Sequence, residues 1–168
     1  MAINAKHLEH VIVKALGDLS DVTNGKIPYS EEAVDLLLLT AAHESKLGTY
    51  LMQINGPAVG IFQMEPATHK DHWNYILQRH WLHKAFSDLR LSCNDADSME
   101  WDLRYATLMA RVHYYRKPEK LPEADGTKEY LDNLGAYAKK HYNTVLGKAT
   151  ASKYTQDYYL YCGERVDF

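Results

Sequence analysis

A mostly apolar run of ten residues, followed closely by an acid, is the feature of this sequence that most constrains its fold. The run covers residues 33–42, and Glu44 lies two positions beyond it. Ser30 is a good N-cap, so the pattern predicts a helix from Ser30 to about Leu47, with Gly48 ending it. The run is far too short to span a bilayer, and we therefore expect a helix of a globular protein.

The composition is that of an ordinary globular protein. The chain has 168 residues, of which 46% are hydrophobic and 24% charged, so it can bury a core, and we expect a single domain over residues 1–168. The net charge of −3 gives no basic footprint for nucleic acid. No signal peptide or membrane-spanning segment is visible, and Cys93 and Cys162 form no disulfide framework, although they leave one bridge open. We expect synthesis in a reducing cytoplasm without stable membrane insertion.

Helical periodicity dominates the rest of the chain. Further helices are predicted over residues 5–17, 66–90, 98 onward, 127–140 and 150–161. In the helix that Ser98 caps, one apolar face is shared by Trp101, Tyr105, Leu108, Met109 and Val112. Residues 49–64 alternate loosely and suit a β-hairpin or an extended flap. The predicted fold is mainly α, with one small β element.

Glu44 is the best candidate for chemistry. Leu37 and Ala41 share its helix face, and such apolar neighbours would raise the pKa of a carboxyl group and keep it protonated as a general acid. The alternative is a solvated glutamate at a helix end, which is the default for most glutamates. Residues 45–64 contain no Asp or Glu, so no second acid follows closely.

Other catalytic constellations are incomplete. A zinc-protease helix needs a second histidine four residues after His43, where the chain has Leu47. Three His-x-x-His pairs occur, namely His7/His10, His69/His72 and His80/His83, but no further ligands complete a metal site, and we interpret them as exposed helix histidines. No nucleophile elbow, activated cysteine or nucleotide-binding loop is present, so we expect no metal and no cofactor.

Tyrosine is unusually frequent, with 13 Tyr against 3 Phe. Tyrosine rings can line a polar groove, where they stack on sugars or bases and keep their hydroxyls wet. For any single tyrosine, packing at a helix junction is the more common role.

Two segments resemble the signatures of a known family. Glu44-Ser45, followed by Gly60-Ile61-Phe62-Gln63-Met64-x-Pro66-x-Thr68, is similar to Glu-Ser … Gly-Leu-Met-Gln-x-x-Pro-x-Thr of the soluble lytic transglycosylases, in the lysozyme-like superfamily. The third signature of that family, Ala-Tyr-Asn-Ala-Gly, has a weaker counterpart in Lys140-His141-Tyr142-Asn143-Thr144, or alternatively in Ala136-Tyr137-Ala138, and its late tyrosine is matched by Tyr158. The resemblance implies an α+β lysozyme-like fold with a small flap beside a catalytic cleft, encoded by a bacteriophage.

The sequence departs from the family pattern at three places. Phe62 replaces a methionine, which an apolar wall tolerates, and Glu65 stands before the proline. The altered third signature leaves the lower part of the sugar site open, since its tyrosine and asparagine contact the sugar in the family.

The resemblance implies cleavage of the β-1,4 bond between N-acetylmuramic acid and N-acetylglucosamine in peptidoglycan. Glu44 would act first as acid and then as base, and the product would carry a 1,6-anhydro ring. Ser45, Gly60, Gln63, Tyr142, Asn143 and Tyr158 are the implied substrate-binding residues. Ser45 and Gln63 would hydrogen-bond Glu44 or the acetamido group, while Tyr142 and Asn143 would orient the sugar.

Three alternatives stay open at this point. Glu65, Asp71 or Asp95 could supply a second acid, which would make the enzyme a hydrolytic lysozyme of the same fold. The chain could instead be a non-catalytic glycan-binding or virion structural protein, or an unrelated helical interaction module. The implied partners are peptidoglycan glycan strands, with no nucleic acid. A chain made without a signal peptide would reach periplasmic peptidoglycan as a virion component or with the help of a holin.

Overall fold

The fold is mainly helical, as the sequence predicts. The structure is a computed structural model that describes residues 2–91, 93–143 and 147–163. In this part of the chain eight helices follow one another: α1 (Ala5–Val22), α2 (Glu31–Ser45), α3 (Pro66–Leu77), α4 (His80–Asp88), α5 (Ser98–Trp101), α6 (Leu103–Tyr115), α7 (Lys128–His141) and α8 (Ala151–Cys162). None of these described helices has both the length and the hydropathy needed to cross a membrane.

Helix α2 lies at the centre of the molecule. It packs against α1, α6, α7 and α8, and every residue from Ala33 to Ala42 is buried. A helix that is apolar on all sides needs neighbours on all sides, which explains why its apolar run is continuous and is not limited to one stripe. Ser30 caps α2 as predicted, and its Oγ accepts a hydrogen bond from the backbone N–H of Ala33 at 3.1 Å.

Two helices differ in length from the prediction. Helix α1 does not end at Gly17 but continues to Val22. An interior glycine costs about 1 kcal/mol, and this cost is offset because Leu19 in the added turn is fully buried, which is worth about 1.5–3 kcal/mol. The helix predicted over residues 66–90 is two helices, since the backbone becomes extended at Arg79 between α3 and α4.

The start of α6 also corrects the prediction. Ser98 does not cap the long helix but opens the one-turn helix α5. Asp102 caps α6 by accepting a hydrogen bond from the N–H of Tyr105 at 2.9 Å. Trp101 precedes this cap and is 62% exposed, so it does not share the buried face of Leu108 and its neighbours. Helices α5 and α6 are separate because the backbone is extended at Asp102.

The segment after α2, which we call the flap (residues 49–64), holds the β structure of the described chain. The predicted hairpin is reduced to two isolated antiparallel bridges, Met52 with Val59 and Val59 with Met64. The chain enters the flap through Lys46, Leu47 and Gly48, which all have left-handed backbone conformations. This turn directs the flap back across the C-terminal end of α2.

Candidate functional site

Glu44 lies in the last turn of α2, where it is half-buried. The hydroxyl of Tyr154 on α8 donates a hydrogen bond to Glu44 Oε1 at 2.8 Å. Burial raises the pKa of the Glu44 carboxyl above its ordinary value, and the smaller effects of the Tyr154 hydrogen bond and of His43 act in the opposite direction. The carboxyl group therefore favours its protonated form, and the Tyr154 hydroxyl can still stabilise the ionised form.

Three tyrosines surround this carboxyl group. Burial raises the pKa of Tyr114, Tyr142 and Tyr154, and the charge of Glu44 raises each pKa further. All three phenols thus stay protonated and can donate hydrogen bonds. The predicted wall of apolar side chains is buried, but the groups shown to interact with Glu44 are these tyrosines. The environment of the acid is consequently more polar than the sequence suggests.

Tyr154 is held in place by a network between α2 and α8. The His43 ring packs on the Tyr154 ring with centroids 3.9 Å apart. His43 Nδ1 lies 2.8 Å from Asp157 Oδ2, and Lys153 Nζ lies 2.5 Å from Asp157 Oδ1. The side chain of Asn143 lowers the pKa of the Tyr154 hydroxyl and so lies near it. These contacts fix the position of the hydroxyl that faces Glu44.

Gly60 and Gln63 form a tight turn in the flap. Gly60 has a φ of +79°, and a Cβ at this position would lie 2.3 Å from the carbonyl oxygen of Met99, so only glycine fits. Gln63 also has a left-handed backbone, and its Nε2 donates to the carbonyl oxygen of Gly60 at 2.8 Å. Gly60 is buried and shapes the turn, while the Gln63 amide is oriented by that turn.

Tyr142, at the C-terminal end of α7, connects this helix to the flap. Its hydroxyl donates to the carbonyl oxygen of Phe62 at 2.7 Å. Its ring packs near the rings of Tyr114 and His113, at centroid distances of 5.4 and 4.8 Å. The end of α7 therefore faces the flap across the region occupied by Glu44.

A cavity of about 410 Å³ lies between these elements. Its lining residues are Glu44, Gln53, Ala58, Gln63, Met64, Glu65, Thr68, His113, Tyr142 and Asn143. Four of the residues predicted from the sequence, Glu44, Gln63, Tyr142 and Asn143, thus line one cavity, which we call the cleft. Thr144, which belongs to the same predicted signature, lies outside the described residues.

Three predicted site residues do not line the cleft, namely Gly60 in the flap turn, Ser45 and Tyr158. Ser45 is fully buried, and its Oγ donates to the carbonyl oxygen of Ala41 and accepts from the N–H of Gly48. It closes the C-terminal turn of α2. Tyr158 is 1% exposed and belongs to the core. Tyr154, one helical turn earlier, makes the contact with Glu44.

The three candidate second acids are separated by the structure. Glu65 is exposed and lines the cleft together with Glu44. Asp71 pairs with Arg116 at 2.7 Å, and Asp95 accepts hydrogen bonds from the N–H and Oγ of Ser98. Glu65 is consequently the second carboxylate that shares the cleft with the buried acid.

The prediction that the three histidine pairs are exposed is wrong for one of them. His69 and His72 are buried, and His69 Nε2 lies 2.6 Å from the hydroxyl of Tyr105, whereas the other two pairs are exposed. Among the described residues no group of three or more His, Cys, Asp or Glu side chains could hold a metal ion.

His72 belongs to a series of hydrogen bonds in which each group donates to the next, from Arg116 to the carbonyl oxygen of His141. His113 Nε2 lies 2.7 Å from the carbonyl oxygen of His141, so Nε2 carries the proton and Nδ1 accepts. His72 Nε2, 3.1 Å away, donates to that Nδ1, and Arg116 Nη1 donates to His72 Nδ1 at 2.7 Å. Burial lowers the pKa of His72 to about 3 and that of His113 to about 4. Both rings are therefore neutral at pH 7.

Sequence reasoning missed two important residues of the site. Tyr154 is displaced by one turn from the predicted Tyr158, and His113 was not singled out. The excess of tyrosine over phenylalanine was the available signal, because it predicts hydroxyls at packed helix junctions around a polar site.

No family model, no curated protein and no solved structure matches this chain. A half-buried acid with a raised pKa, facing a cavity lined by tyrosine, asparagine and glutamine, is suited to general acid–base catalysis.

Proposed function

We propose that this chain cleaves the β-1,4 bond between N-acetylmuramic acid and N-acetylglucosamine in peptidoglycan, with Glu44 as the acid and then the base. One observation carries the proposal. Glu44 is half-buried, its pKa is raised, and it lines the cleft together with Gln63, Tyr142 and Asn143. These residues come from three distant segments, and each segment resembles a different signature of the lytic transglycosylases.

The mechanism needs Glu44 in both protonation states. The protonated carboxyl donates its proton to the glycosidic oxygen as the bond from that oxygen to C1 breaks. The acetamido oxygen of the substrate stabilises C1, as in substrate-assisted glycosidases. The resulting carboxylate accepts the proton of the C6 hydroxyl, whose oxygen attacks C1 and closes the 1,6-anhydro ring. Glu44 ends protonated, so one residue serves both steps.

The cleft residues have separate tasks in this scheme. The Tyr154 hydroxyl at 2.8 Å from Oε1 stabilises the carboxylate form between the two proton transfers. The Gln63 amide, whose Nε2 is bound to the carbonyl oxygen of Gly60, presents its oxygen to an acetamido N–H of the sugar. Asn143 and Tyr142 line the opposite wall, where they orient the sugar.

Hydrolysis is a second candidate because Glu65 lines the same cleft. In a hydrolase this carboxylate would activate a water molecule, or would attack C1 directly, and the product would end in a reducing sugar. Mass spectrometry of digested peptidoglycan separates the outcomes, since an anhydro product is lighter by one water. Anhydro products support the transglycosylase, and reducing ends support the hydrolase.

Glu44→Gln tests the proposal. We expect the variant to lose clearing of purified peptidoglycan, by at least about 100-fold, because it removes the proton donor. Glu129→Gln makes the same chemical change at an exposed site on α7, and this control should keep full activity. Retained clearing by Glu44→Gln would overturn the role of Glu44. A wild-type protein that binds peptidoglycan without cleaving it would indicate a non-catalytic glycan-binding protein.

The same variant should not unfold. Because burial raises the pKa of Glu44 above 4.5, the carboxyl lowers stability as the pH rises from about 4.5 through its folded pKa. Glutamine removes this cost and can still accept the Tyr154 hydrogen bond. We therefore expect Glu44→Gln to melt at or above the wild-type temperature at pH 7.5 and without this advantage below pH 4.5, so that lost activity cannot be attributed to a lost fold.

A further inference from the structure

A second cavity of about 360 Å³ adjoins the cleft. It is lined by Ala67, Thr68, Asp71, His72, His113, Arg116 and Lys117. Thr68 and His113 line both cavities, so these two side chains form the boundary between them. A substituent on a sugar bound beside Glu44 therefore has a short path over Thr68 and His113 into the second cavity.

The lining of the second cavity carries an excess of positive charge. Arg116 and Lys117 contribute two cations and Asp71 one anion, while His72 and His113 are neutral at pH 7. The local charge is thus positive in a chain whose net charge is −3. Adjacent like charges repel, and an anion placed between them lowers this repulsion.

Arg116 is held in a fixed orientation with donors to spare. Its Nη1 donates to Asp71 and to His72, each at 2.7 Å, and its guanidinium lies over the ring of Tyr75 at 4.6 Å. No acceptor among the described residues contacts its Nε or Nη2. A guanidinium positioned in this way is suited to bind a carboxylate.

Lys117 has no hydrogen-bond or ion-pair partner for its side chain in the described chain. Burial, and then the charge of Arg116, lower the pKa of its ammonium group. Helix α3 also begins beside this cavity, and no side chain caps its first turn, so free N–H groups at Ala67 and Thr68 add partial positive charge. Arg116, Lys117 and the N-terminal end of α3 thus line one cavity, whose carboxylate, Asp71, is already paired with Arg116.

We propose that the second cavity binds a carboxylate carried by the muramic acid of the substrate. This inference rests on the proposed function, because it assigns the cavity to the same glycan that occupies the cleft. Two carboxylates have this chemistry: that of the lactyl group where the unit carries no stem peptide, and those of the stem peptide where one is attached, since the attachment converts the lactyl carboxylate to a neutral amide. Binding there would select muramic acid, and not a neutral N-acetylglucosamine unit, for the sugar position beside Thr68 and His113.

The test measures binding to Glu44→Gln protein, so that no ligand is cleaved. Three soluble ligands are titrated by calorimetry: a peptidoglycan tetrasaccharide with stem peptides, the same tetrasaccharide after an amidase has removed the stems and left free lactyl carboxylates, and a neutral chitin tetrasaccharide. Each is measured again with Lys117→Gln added. Lys120→Gln, an exposed lysine in the same loop, is the matched control, and Lys117→Arg tests rescue by charge.

We expect Lys117→Gln to raise the Kd for muramic ligands about tenfold, since a hydrogen bond to a charged group is lost. Lys120→Gln should leave the Kd unchanged, and Lys117→Arg should restore most of it. A change only with the stem-bearing ligand assigns the cavity to the stem carboxylates, and a change only with the amidase-treated ligand assigns it to the free lactyl carboxylate. A change with both muramic ligands shows that the cavity accepts either carboxylate.

Two results would overturn the inference. One is an unchanged Kd for both muramic ligands, and the other is an equal loss of affinity for the neutral chitin ligand, which would show that Lys117 acts through the shape of the cleft. Clearing of peptidoglycan by the wild-type protein is measured separately. Clearing together with an unchanged Kd rejects this inference alone, whereas selective binding without clearing rejects the enzymatic function and keeps the carboxylate site.

Discussion

At the scale of single residues, Glu44 is subject to two opposed effects. Burial raises its pKa and favours the acid form, while the Tyr154 hydroxyl stabilises the carboxylate. In the proposed mechanism Glu44 gives and then takes a proton, and such a residue works best when neither form is strongly favoured at the working pH. Tyr154 thus limits the rise in pKa that burial alone would cause.

Tyr154→Phe tests this balance. The variant removes the hydrogen bond to the carboxylate, so the pKa of Glu44 should rise further. Activity requires the protonated acid, and it is lost as the pH increases through this pKa. We therefore expect the alkaline limb of the profile of kcat/KM against pH to move upward by up to about one pH unit, together with a lower kcat. The profile is measured on solubilised glycan strands.

Tyr159→Phe is the matched control. Tyr159 lies on the same helix, is partly exposed and contacts the ring of Tyr158. Removing the Tyr159 hydroxyl should not shift the alkaline limb of the profile of kcat/KM against pH. An alkaline limb that stays fixed, or that moves to lower pH, in Tyr154→Phe would show that this hydroxyl does not stabilise the Glu44 carboxylate.

The choice between Tyr154 and Tyr158 marks the limit of residue-level prediction. Both tyrosines are buried and, being four residues apart, share one helix face. Which of them meets Glu44 depends on how far α8 is shifted along α2. That shift is set by tertiary packing and leaves no mark in the local sequence. Glu44 itself was predictable because an acid directly after a buried helical run is locally unusual.

At the scale of elements, the turn at Gly60 is the most constrained part of the flap. Its φ of +79° costs an L-residue about 1–2 kcal/mol. A methyl group there would also meet the carbonyl oxygen of Met99 at 2.3 Å. Backbone cannot move aside as a flexible side chain does, so α5 and the flap would have to separate.

Gly60→Ala should accordingly destabilise the protein by more than the conformational cost alone. We expect a loss of roughly 3–5 kcal/mol in the free energy of unfolding, measured by urea denaturation. Gly25→Ala is the matched control, since Gly25 has a φ of +74° and a methyl group there would meet no other atom within 4 Å. Gly25→Ala should lower the free energy of unfolding by only about 1–2 kcal/mol. Equal losses in the two variants would show that the contact with Met99 is not tight.

The existence of the helices was predictable, while their boundaries and some of their caps were not. Ser30 caps α2 as predicted, because a hydroxyl that accepts a backbone N–H is a local interaction. The predicted cap Ser98 instead opens the one-turn helix α5. The break at Arg79 and the extension beyond Gly17 depend on what the neighbouring helices bury. Of the two expectations for residues 49–64, the flap and not the paired hairpin describes the segment, which has only two isolated bridges, since loose alternation does not require paired strands.

At the scale of the whole molecule, the central position of α2 organises the cleft. The acid leaves the end of α2, the tyrosine that contacts it comes from α8, and the walls come from the flap and the end of α7. The sequence predicted which segments carry these residues, because two of the segments resemble signatures of one family. It could not predict the hydrogen-bonded chain from Arg116 through His72 and His113, which joins helices distant in sequence.

The hydrogen bonds of His72 and His113 make the stability of the whole molecule sensitive to acid. Each histidine accepts a proton in the unfolded state near pH 6.5 but resists it in the fold until about pH 3–4. Their contribution to stability is therefore complete above pH 6.5 and is lost as the pH falls toward the folded pKa values, by up to about 1.4 kcal/mol per pH unit for each ring.

In His72→Gln the amide can accept from Arg116 and donate to His113 without titrating. We expect the loss of unfolding free energy between pH 6.5 and 4.5, measured by urea denaturation, to shrink by up to about half. His7→Gln, at an exposed site on α1, should keep the wild-type slope, and a wild-type slope in His72→Gln would show that His72 does not resist protonation in the fold.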